Sequence, residues 1–123
     1  MAQDSLVSVV DDDESLRESL PDLLREFGYA ARAFSSAEEF LASASVEETR
    51  CLILDIALPG ISGPDLQREL TLRGQKIPVV FITAHGGEAL RAYLIAQGAV
   101  ECLPKPFSDT ALLKALNCAL CVD

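Results

Sequence analysis

The regular alternation of short apolar runs with longer segments of helical periodicity is the feature that most constrains the fold. In the longer segments apolar residues recur three or four positions apart, as in helices that pack one face on a core. Strands that alternate with such helices form βα units and a parallel sheet. The predicted strands are Leu6–Val10, Tyr29–Phe34, Cys51–Leu54, Pro78–Thr83 and Ala99–Leu103. The sequence therefore predicts an α/β fold, with a doubly wound five-stranded parallel sheet flanked by five helices.

The five predicted helices follow these strands in turn. The first runs from about Glu14 to Phe27, and the last begins at Ser108, whose side chain is expected to cap it. The other three are predicted at about 36–41, 63–72 and 88–97. No linker or repeat interrupts the pattern, so one domain over residues 1–123 is expected, with no output domain.

Composition excludes several classes of function. The chain has 123 residues and a formal net charge of -9. Nucleic-acid binding rests on Lys and Arg meeting phosphates, so this acidic chain is not expected to bind nucleic acid directly. No apolar run approaches the roughly 20 residues of a membrane span, and the polar start shows no signal peptide. The sequence therefore predicts a cytoplasmic protein with no membrane partner.

The four cysteines are expected to be reduced. Without a secretory signal, the cysteines at positions 51, 102, 118 and 121 are more typical of packed thiols than of disulfides. Cys118-x-x-Cys121 lies near the end of an apolar helix and lacks a second ligand pair. Simple packing is therefore favoured over a redox or zinc role for this motif.

Polar residues stand where four of the predicted strands end. Asp11 and Asp12 follow the first strand, Asp55 follows the third, Thr83 ends the fourth, and Lys105 follows the fifth. In an open parallel sheet, ligands bind beyond the carboxyl ends of the strands, so these groups are expected to converge. Carboxylates, a hydroxyl and an ammonium in one pocket predict a site for a divalent metal and a phosphoryl group.

Two of the acids also have interpretations that are simpler than a metal and phosphoryl site. Carboxylates at a helix N-terminus complement the helix dipole, and Asp13 is expected to do this. Asp55, taken alone, is as compatible with a turn as with a functional site. Two further acids at the end of a buried strand exceed what capping needs, and oxygen ligands suit Mg²⁺. A carboxylate held by a metal can also attack phosphorus and form an acyl phosphate.

The same strand ends carry a family resemblance. The segments VVDDDESLR, LDIALPGISGPDL, VVFITAHG and GAVECLPKPF together resemble a receiver domain of two-component response regulators, from the first strand to the last helix. The resemblance implies a flavodoxin-like sheet with strand order 2-1-3-4-5. It implies that Asp55 accepts phosphate from the phosphohistidine of a sensor histidine kinase or a phosphotransfer protein. It also implies that Lys105 pairs with that aspartate or its phosphate and that Thr83 shifts toward the phosphate.

The resemblance further implies a Mg²⁺ site and two modulating positions. Asp11, Asp12 and Asp55 would hold the ion together with the backbone carbonyl of Ala57. His85, the only histidine, and Ala57 stand at positions that in similar receivers tune dephosphorylation. The bond between Lys105 and Pro106 is expected to be cis, an isomer that only X-Pro bonds reach easily.

One position departs from the family pattern. Similar receivers usually carry an aromatic residue three positions before the lysine, and it turns inward when the threonine moves. Here that residue is Cys102. A thiol cannot fill the volume of a ring, so transmission to the surface is either weaker or carried by another element. A packed strand residue is favoured over a redox sensor at this position.

The fourth predicted helix carries more apolar residues than one buried face requires. A wider buried stripe is the plain explanation. A contact surface for a homodimer or a partner, formed with the fifth strand and the fifth predicted helix, is the alternative, since exposed apolar patches mark contacts. The residues concerned are Leu90, Tyr93, Leu94 and Ile95.

Three classes of function are compatible with this sequence. The leading one is a phosphorylation-dependent switch that is not a turnover enzyme and acts as a stand-alone regulator or a phosphate shuttle. A Mg²⁺-dependent phosphohydrolase is the second, although such enzymes typically carry an acid where Ala57 stands. A receiver-fold adaptor that binds its partner without phosphorylation is the third, and Cys102 keeps it open.

Overall fold

The computed structural model describes residues 5–120, which form a five-stranded sheet with helices on both faces. Each strand leads into at least one helix before the next strand begins. The strands are β1 Leu6–Val10, β2 Ala30–Phe34, β3 Thr49–Asp55, β4 Val79–Thr83 and β5 Glu101–Pro104. The helices are α1 Glu14–Glu26, α2 Ala37–Leu41, α3 Ser45–Glu48, α4 Gly63–Leu72, α5 Glu88–Ala96 and α6 Asp109–Leu120.

The sheet is parallel throughout, in the order β2-β1-β3-β4-β5, which confirms the predicted fold and strand order. The chain passes from β1 to β2 on one side and then returns to β3 on the other side of β1. This reversal opens a crevice at the carboxyl ends of β1 and β3, where ligands bind in sheets of this kind. The topology alone therefore places the end of β1 beside the end of β3.

The core has two layers, one on each face of the sheet. Successive residues of β3 point to opposite layers, so Leu52 and Leu54 enter one cluster while Cys51 and Ile53 enter the other. The first cluster packs under α2, α4 and α5, and the second under α1 and α6. The strands β1 and β4 are buried throughout and β3 nearly so, and such strands read as continuous apolar runs in the sequence.

Four predicted strand starts differ from those observed, and the starts of β2 and β5 differ for the same reason. Tyr29 and Ala99 lie outside β2 and β5, because their backbone N–H groups close the ends of the preceding helices. Tyr29 donates to the Leu24 carbonyl at 3.1 Å, and Ala99 donates to the Leu94 carbonyl at 3.0 Å. Gly28 and Gly98, which precede these two residues, have a positive φ, as this type of helix C-terminus requires. Both strands therefore begin later than their apolar pattern suggested.

The short helix α3 was not predicted, so the described residues contain six helices where five were expected. It packs its N-terminal residue, Ser45, against the sheet, where the Ser45 carbonyl accepts a hydrogen bond from the Thr49 hydroxyl at 2.7 Å. Thr49 in turn lies 2.6 Å from the Ser8 hydroxyl of β1. These buried hydroxyls satisfy one another across three elements, a pairing that spacing along the chain does not reveal.

Candidate functional site

Three carboxylates meet at the crevice between β1 and β3. Asp11, Asp12 and Asp55 each offer an oxygen that lies within 4.8 Å of the other two. Val10 pairs with Leu54 across the two strands, so the residues that follow them are brought side by side. Asp11 and Asp55 are buried, whereas Asp12 is exposed to solvent. The predicted convergence of these three acids is present in the structure.

Lys105 reaches the same carboxylates from the end of β5. Its Nζ lies 2.9 Å from Oδ2 of Asp11 and 3.5 Å from Oδ2 of Asp55. The backbone N–H of Lys105 donates to the Thr83 carbonyl at 2.8 Å, which continues the ladder between β4 and β5. The Lys105–Pro106 bond is cis, as predicted. The ammonium thus contacts Asp11 more closely than it contacts Asp55.

The electrostatic balance of the cluster is negative. Burial raises the pKa of Asp55, the neighbouring Asp11 raises it further, and Lys105 opposes both effects. Burial lowers the pKa of Lys105, but the two carboxylates outweigh this, and the pKa of the ammonium is raised overall. One ammonium therefore faces three carboxylates, and the remaining negative charge favours a bound cation.

The donor set fits a hard divalent cation such as Mg²⁺, which prefers oxygen ligands. Oδ1 of Asp11 accepts a hydrogen bond from the backbone N–H of Asp13 at 2.8 Å. Oδ2 of Asp11 is fully buried, with the Lys105 ammonium 2.9 Å away. Ala57 donates its N–H to Oδ1 of Asp55 at 3.4 Å, and the metal-binding role of its carbonyl stays a prediction.

Thr83 lies at the end of β4 with its hydroxyl turned to the loop that follows. Its Oγ1 accepts from the backbone N–H of His85 and donates to the His85 carbonyl, both at 3.1 Å. Thr83 is buried, whereas the His85 side chain is exposed. The hydroxyl is therefore committed to the β4–α5 loop in this conformation, and its movement toward the acidic cluster stays a prediction.

Cys102 is buried in β5 and lines a cavity next to Thr83. Burial raises the pKa of this thiol, and the adjacent Glu101 carboxylate raises it further. A thiol with a raised pKa carries little thiolate at neutral pH, and thiolate is the reactive form. These surroundings support the interpretation of Cys102 as a packed residue rather than a redox sensor.

Two supporting residues of the site, Arg17 and Glu38, were missed in the sequence, and the contact of a third, Gly63, was not foreseen. Arg17 of α1 donates from Nη1 to the backbone carbonyl of Asp11 at 3.0 Å. Glu38 of α2 accepts the backbone N–H of Ile61 at 3.2 Å and so ties α2 to the loop after Asp55. A Cβ at Gly63 would overlap the backbone carbonyl of Asp55. The glycine was visible in the motif, but nothing in the sequence indicated what the two charged side chains would contact.

The Cys118-x-x-Cys121 motif can be followed only in part. Cys118 lies on α6 and is exposed. Cys121 lies outside the described residues, so the prediction for the pair stays a prediction. None of the described helices is long and apolar enough to span a membrane.

A parallel sheet of this order with an acid cluster and a lysine at its carboxyl edge defines the receiver class of signalling domains. Comparison with known proteins agrees, because residues 7–117 match the response regulator receiver domain family. The chain belongs to this family. Membership implies a cognate histidine kinase as a partner.

Individual relatives place the chain more closely within the family. It is 45% identical over 115 residues to nodulation protein W of Bradyrhizobium diazoefficiens, covering 94% of this chain and 51% of that protein. The solved response regulator StyR has 46% identity and a TM-score of 0.84, over 94% of this chain and 58% of that one. The structure named FixJ-N has 36% identity and a TM-score of 0.82, over 95% and 94% of the two chains. The chain thus spans about half the length of the curated relatives it matches.

Proposed function

We propose that Asp55 accepts a phosphoryl group from the phosphohistidine of a sensor histidine kinase or phosphotransfer protein, and that the chain is thereby a phosphorylation-dependent switch. The observation that carries this proposal is the position of the Asp55 carboxylate. It is buried at the crevice of the sheet, within reach of one ammonium and two further acids. No simple turn or helix cap requires this arrangement.

The chemistry follows from the groups around Asp55. An oxygen of Asp55 attacks phosphorus, the P–N bond of the donor breaks, and the imidazole leaves with the bonding electron pair. Lys105 lies 3.5 Å from Asp55 and offsets the negative charge of the incoming group.

Asp11, Asp12 and Asp55 would hold Mg²⁺, with the backbone carbonyl of Ala57 as the fourth protein ligand. When bound, the ion neutralises charge on the phosphoryl oxygens. Its positive charge also offsets the surplus of carboxylates that Lys105 leaves uncompensated. Phosphoryl transfer to Asp55 is therefore expected to depend on a divalent cation.

The switch itself is assigned to Thr83. After transfer, its hydroxyl exchanges the His85 backbone for a phosphoryl oxygen, and the β4–α5 loop is released from its present hydrogen bonds. His85 and Ala57 flank the acceptor as modulators of dephosphorylation. Both are exposed to solvent.

Labelling with acetyl phosphate tests the acceptor directly. The wild-type chain is expected to take up phosphate in the presence of Mg²⁺ and to lose this ability when the cation is chelated. Asp55→Asn is expected to abolish labelling. Asp13→Asn is the matched control, because Asn also caps helices well and Asp13 lies outside the acid cluster. Persistent labelling of Asp55→Asn would sink the assignment.

The protein is further proposed to catalyse only its own phosphorylation and dephosphorylation. Ala57 stands where an aspartyl phosphohydrolase would carry a second acid, so no general acid is expected for an external leaving group. Incubation with a generic phosphate ester should therefore release no phosphate above the level given by Asp55→Asn. Release that depends on Asp55 would favour the phosphohydrolase instead.

A stand-alone regulator or phosphate shuttle is the mode of action proposed for this chain. Its acidic surface and exposed apolar residues on α5 support signalling through contact with another protein. The mass of the natural gene product tests this mode. A product near 13.2 kDa agrees with it, whereas one about twice as large, as in the relatives, contradicts it.

A further inference from the structure

A cavity of about 190 Å³ lies between the β4–α5 loop, the start of α5 and the end of β5. It is separate from the acid cluster, and Thr83 contributes to its wall. The lining residues are Thr83, Gly86, Gly87, Glu88, Arg91, Cys102 and Pro104. The cavity opens to solvent on one side, where Gly86, Gly87, Glu88 and Pro104 are exposed, and ends inside at the buried Thr83 and Cys102.

The inner wall of the cavity is apolar. Thr83 directs its hydroxyl to the backbone of His85 and turns its methyl toward Gly86, whose added Cβ would lie 2.7 Å from that methyl. Cys102 contributes a buried thiol, which behaves as a small hydrophobic group. Pro104 adds a ring without a backbone donor. The side chains of the inner wall therefore offer a ligand few hydrogen-bonding partners.

The guanidinium of Arg91 at the rim is already paired with two carboxylates. Arg91 forms a two-point ion pair with Glu101, at 2.6 Å from Nε and 3.1 Å from Nη2. Its Nη1 also lies 3.5 Å from Glu88. The guanidinium is thus shared between two carboxylates and offers little to an anion. A cationic ligand would in turn lose its hydration against the apolar inner wall without a buried partner.

We propose that this cavity is a binding site for a small neutral ring, of the size of benzene or phenol. Apolar cavities of about 150 Å³ bind benzene, so the volume suffices for one such ring. Arg91 lines the cavity and is held by Glu101, and a guanidinium is a group on which a ring can stack. The size of the side chain at position 102 determines the volume of the cavity, because a larger side chain there would fill it.

A titration with phenol, followed by NMR of backbone amides, tests the site in the metal-free protein. Saturable shifts are expected at Gly86, Gly87 and Cys102, with an affinity on the order of millimolar, as befits so small a ligand. Benzoate, of the same ring size but anionic, is expected to bind at least tenfold more weakly. Equal binding of benzoate would overturn the proposed ligand class.

Variants at residue 102 test the location. Cys102→Phe is expected to abolish phenol binding, whereas Cys118→Phe adds the same ring on exposed α6 and should leave it unchanged. Should Cys102→Phe fail to fold, Cys102→Leu fills part of the space, and a several-fold weaker affinity is expected. Undiminished binding by a folded variant at residue 102, or no saturable shift in the wild type, would refute the site.

A ring bound here touches Thr83, the residue assigned to the switch, so its binding and phosphorylation would influence each other reciprocally. This consequence rests on the proposed function. The titration itself uses neither Mg²⁺ nor a phosphoryl donor. Its failure would therefore leave the assignment of Asp55 untouched, and failure of Asp55 labelling would leave the cavity site untouched.

Discussion

Asp55 is a buried carboxylate whose pKa is raised first by its removal from water and then by Asp11. Folding therefore favours its protonated form. Protonated Asp55 contributes its full stabilisation of the fold at pH values below 3.8, the ordinary pKa of an aspartate. This stabilisation is lost as pH rises through the raised pKa of Asp55 in the folded protein. In the metal-free protein at neutral pH, the ionised carboxylate opposes folding, as acids at a site prepared for a cation commonly do.

Replacement of Asp55 by Asn is expected to stabilise the metal-free protein at pH 7 by about 1 kcal/mol, since it removes a buried charge and keeps the shape. For a domain of this size that gain raises Tm by roughly 4 °C. Thermal unfolding in chelator measures it, with Asp13→Asn as the control. The gain should shrink below pH 4. A Tm equal to or below that of the wild type would contradict this account of the charge balance.

The acids and the lysine of the site were predictable because each follows a recognisable strand, and the topology brings those strand ends together. Their mutual contacts were not predictable. The closer approach of Lys105 to Asp11 than to Asp55 depends on the rotamer of a long side chain. The bond of Thr83 to the His85 backbone depends on the path of a loop.

At the scale of elements, the start of α4 supports the acceptor loop. The Gly63 N–H donates to the Ile56 carbonyl at 3.0 Å, and its α-carbon lies against the backbone of Asp55. Only a residue without a side chain allows this approach. The helix α4 thus supports the segment around Asp55 on its C-terminal side, and β3 supports the same segment on its N-terminal side.

Gly63→Ala is therefore expected to destabilise the protein by about 1–3 kcal/mol, the usual effect of overpacking, and to slow labelling of Asp55. Gly87→Ala is the control, because its φ of -167° is ordinary and nothing lies within 4 Å of an added Cβ. Gly87 is the N-cap of α5 and Ala caps less well than Gly, so a smaller loss, below about 1 kcal/mol, is expected for this variant. Denaturant unfolding and acetyl phosphate labelling measure both effects. Equal stability of the two alanine variants would show that the backbone contact at Gly63 is unimportant.

The ion pair between α5 and β5 gives a second prediction at this scale. Arg91 of α5 donates hydrogen bonds to the Glu101 carboxylate of β5, and these bonds lower the pKa of Glu101 below its ordinary value of 4.5. A lowered pKa means that the stabilisation is complete above 4.5 and is lost as pH falls through the folded-state value. Glu101→Gln should therefore lose less stability than the wild type between pH 6 and pH 3. Parallel pH profiles of urea unfolding for the two proteins would contradict this.

Strand and helix boundaries show what periodicity can and cannot predict. β1 was predicted with its observed limits, because a fully buried strand is an unbroken apolar run. The starts of β2 and β5 were not, because Tyr29 and Ala99 are apolar residues that close a helix instead of joining the sheet. The helix α3 was missed because it is held by the buried hydrogen bond from the Thr49 hydroxyl to the Ser45 carbonyl, a contact that periodicity does not reveal.

At the scale of the whole molecule, α5, β5 and α6 form the face that is expected to change on phosphorylation. Tyr93 and Ile95 are exposed on α5, at 60% and 37%, whereas Leu94 is buried and Leu90 is partly buried. The apolar excess of this helix is thus divided between the core and the surface. The exposed part is available to a second copy or to a partner.

Beryllium fluoride, a phosphoryl mimic, is therefore expected to change the oligomeric state or partner affinity in the presence of Mg²⁺. Size-exclusion chromatography with light scattering should show a larger species for the wild type but none for Asp55→Asn. Tyr93→Ser should weaken that species without preventing phosphorylation. If neither size nor partner affinity responds to the mimic, the phosphorylation-independent adaptor is favoured.

The most direct test of the central claim locates the phosphate itself. After phosphorylation by acetyl phosphate with Mg²⁺, borohydride reduction converts an acyl phosphate to a stable homoserine, and peptide mass spectrometry identifies its position. The account predicts a single modified residue, Asp55, and no modification without Mg²⁺. Modification of Asp11 or Asp12, phosphate on His85, or an unmodified Asp55 in a fully labelled protein would contradict it.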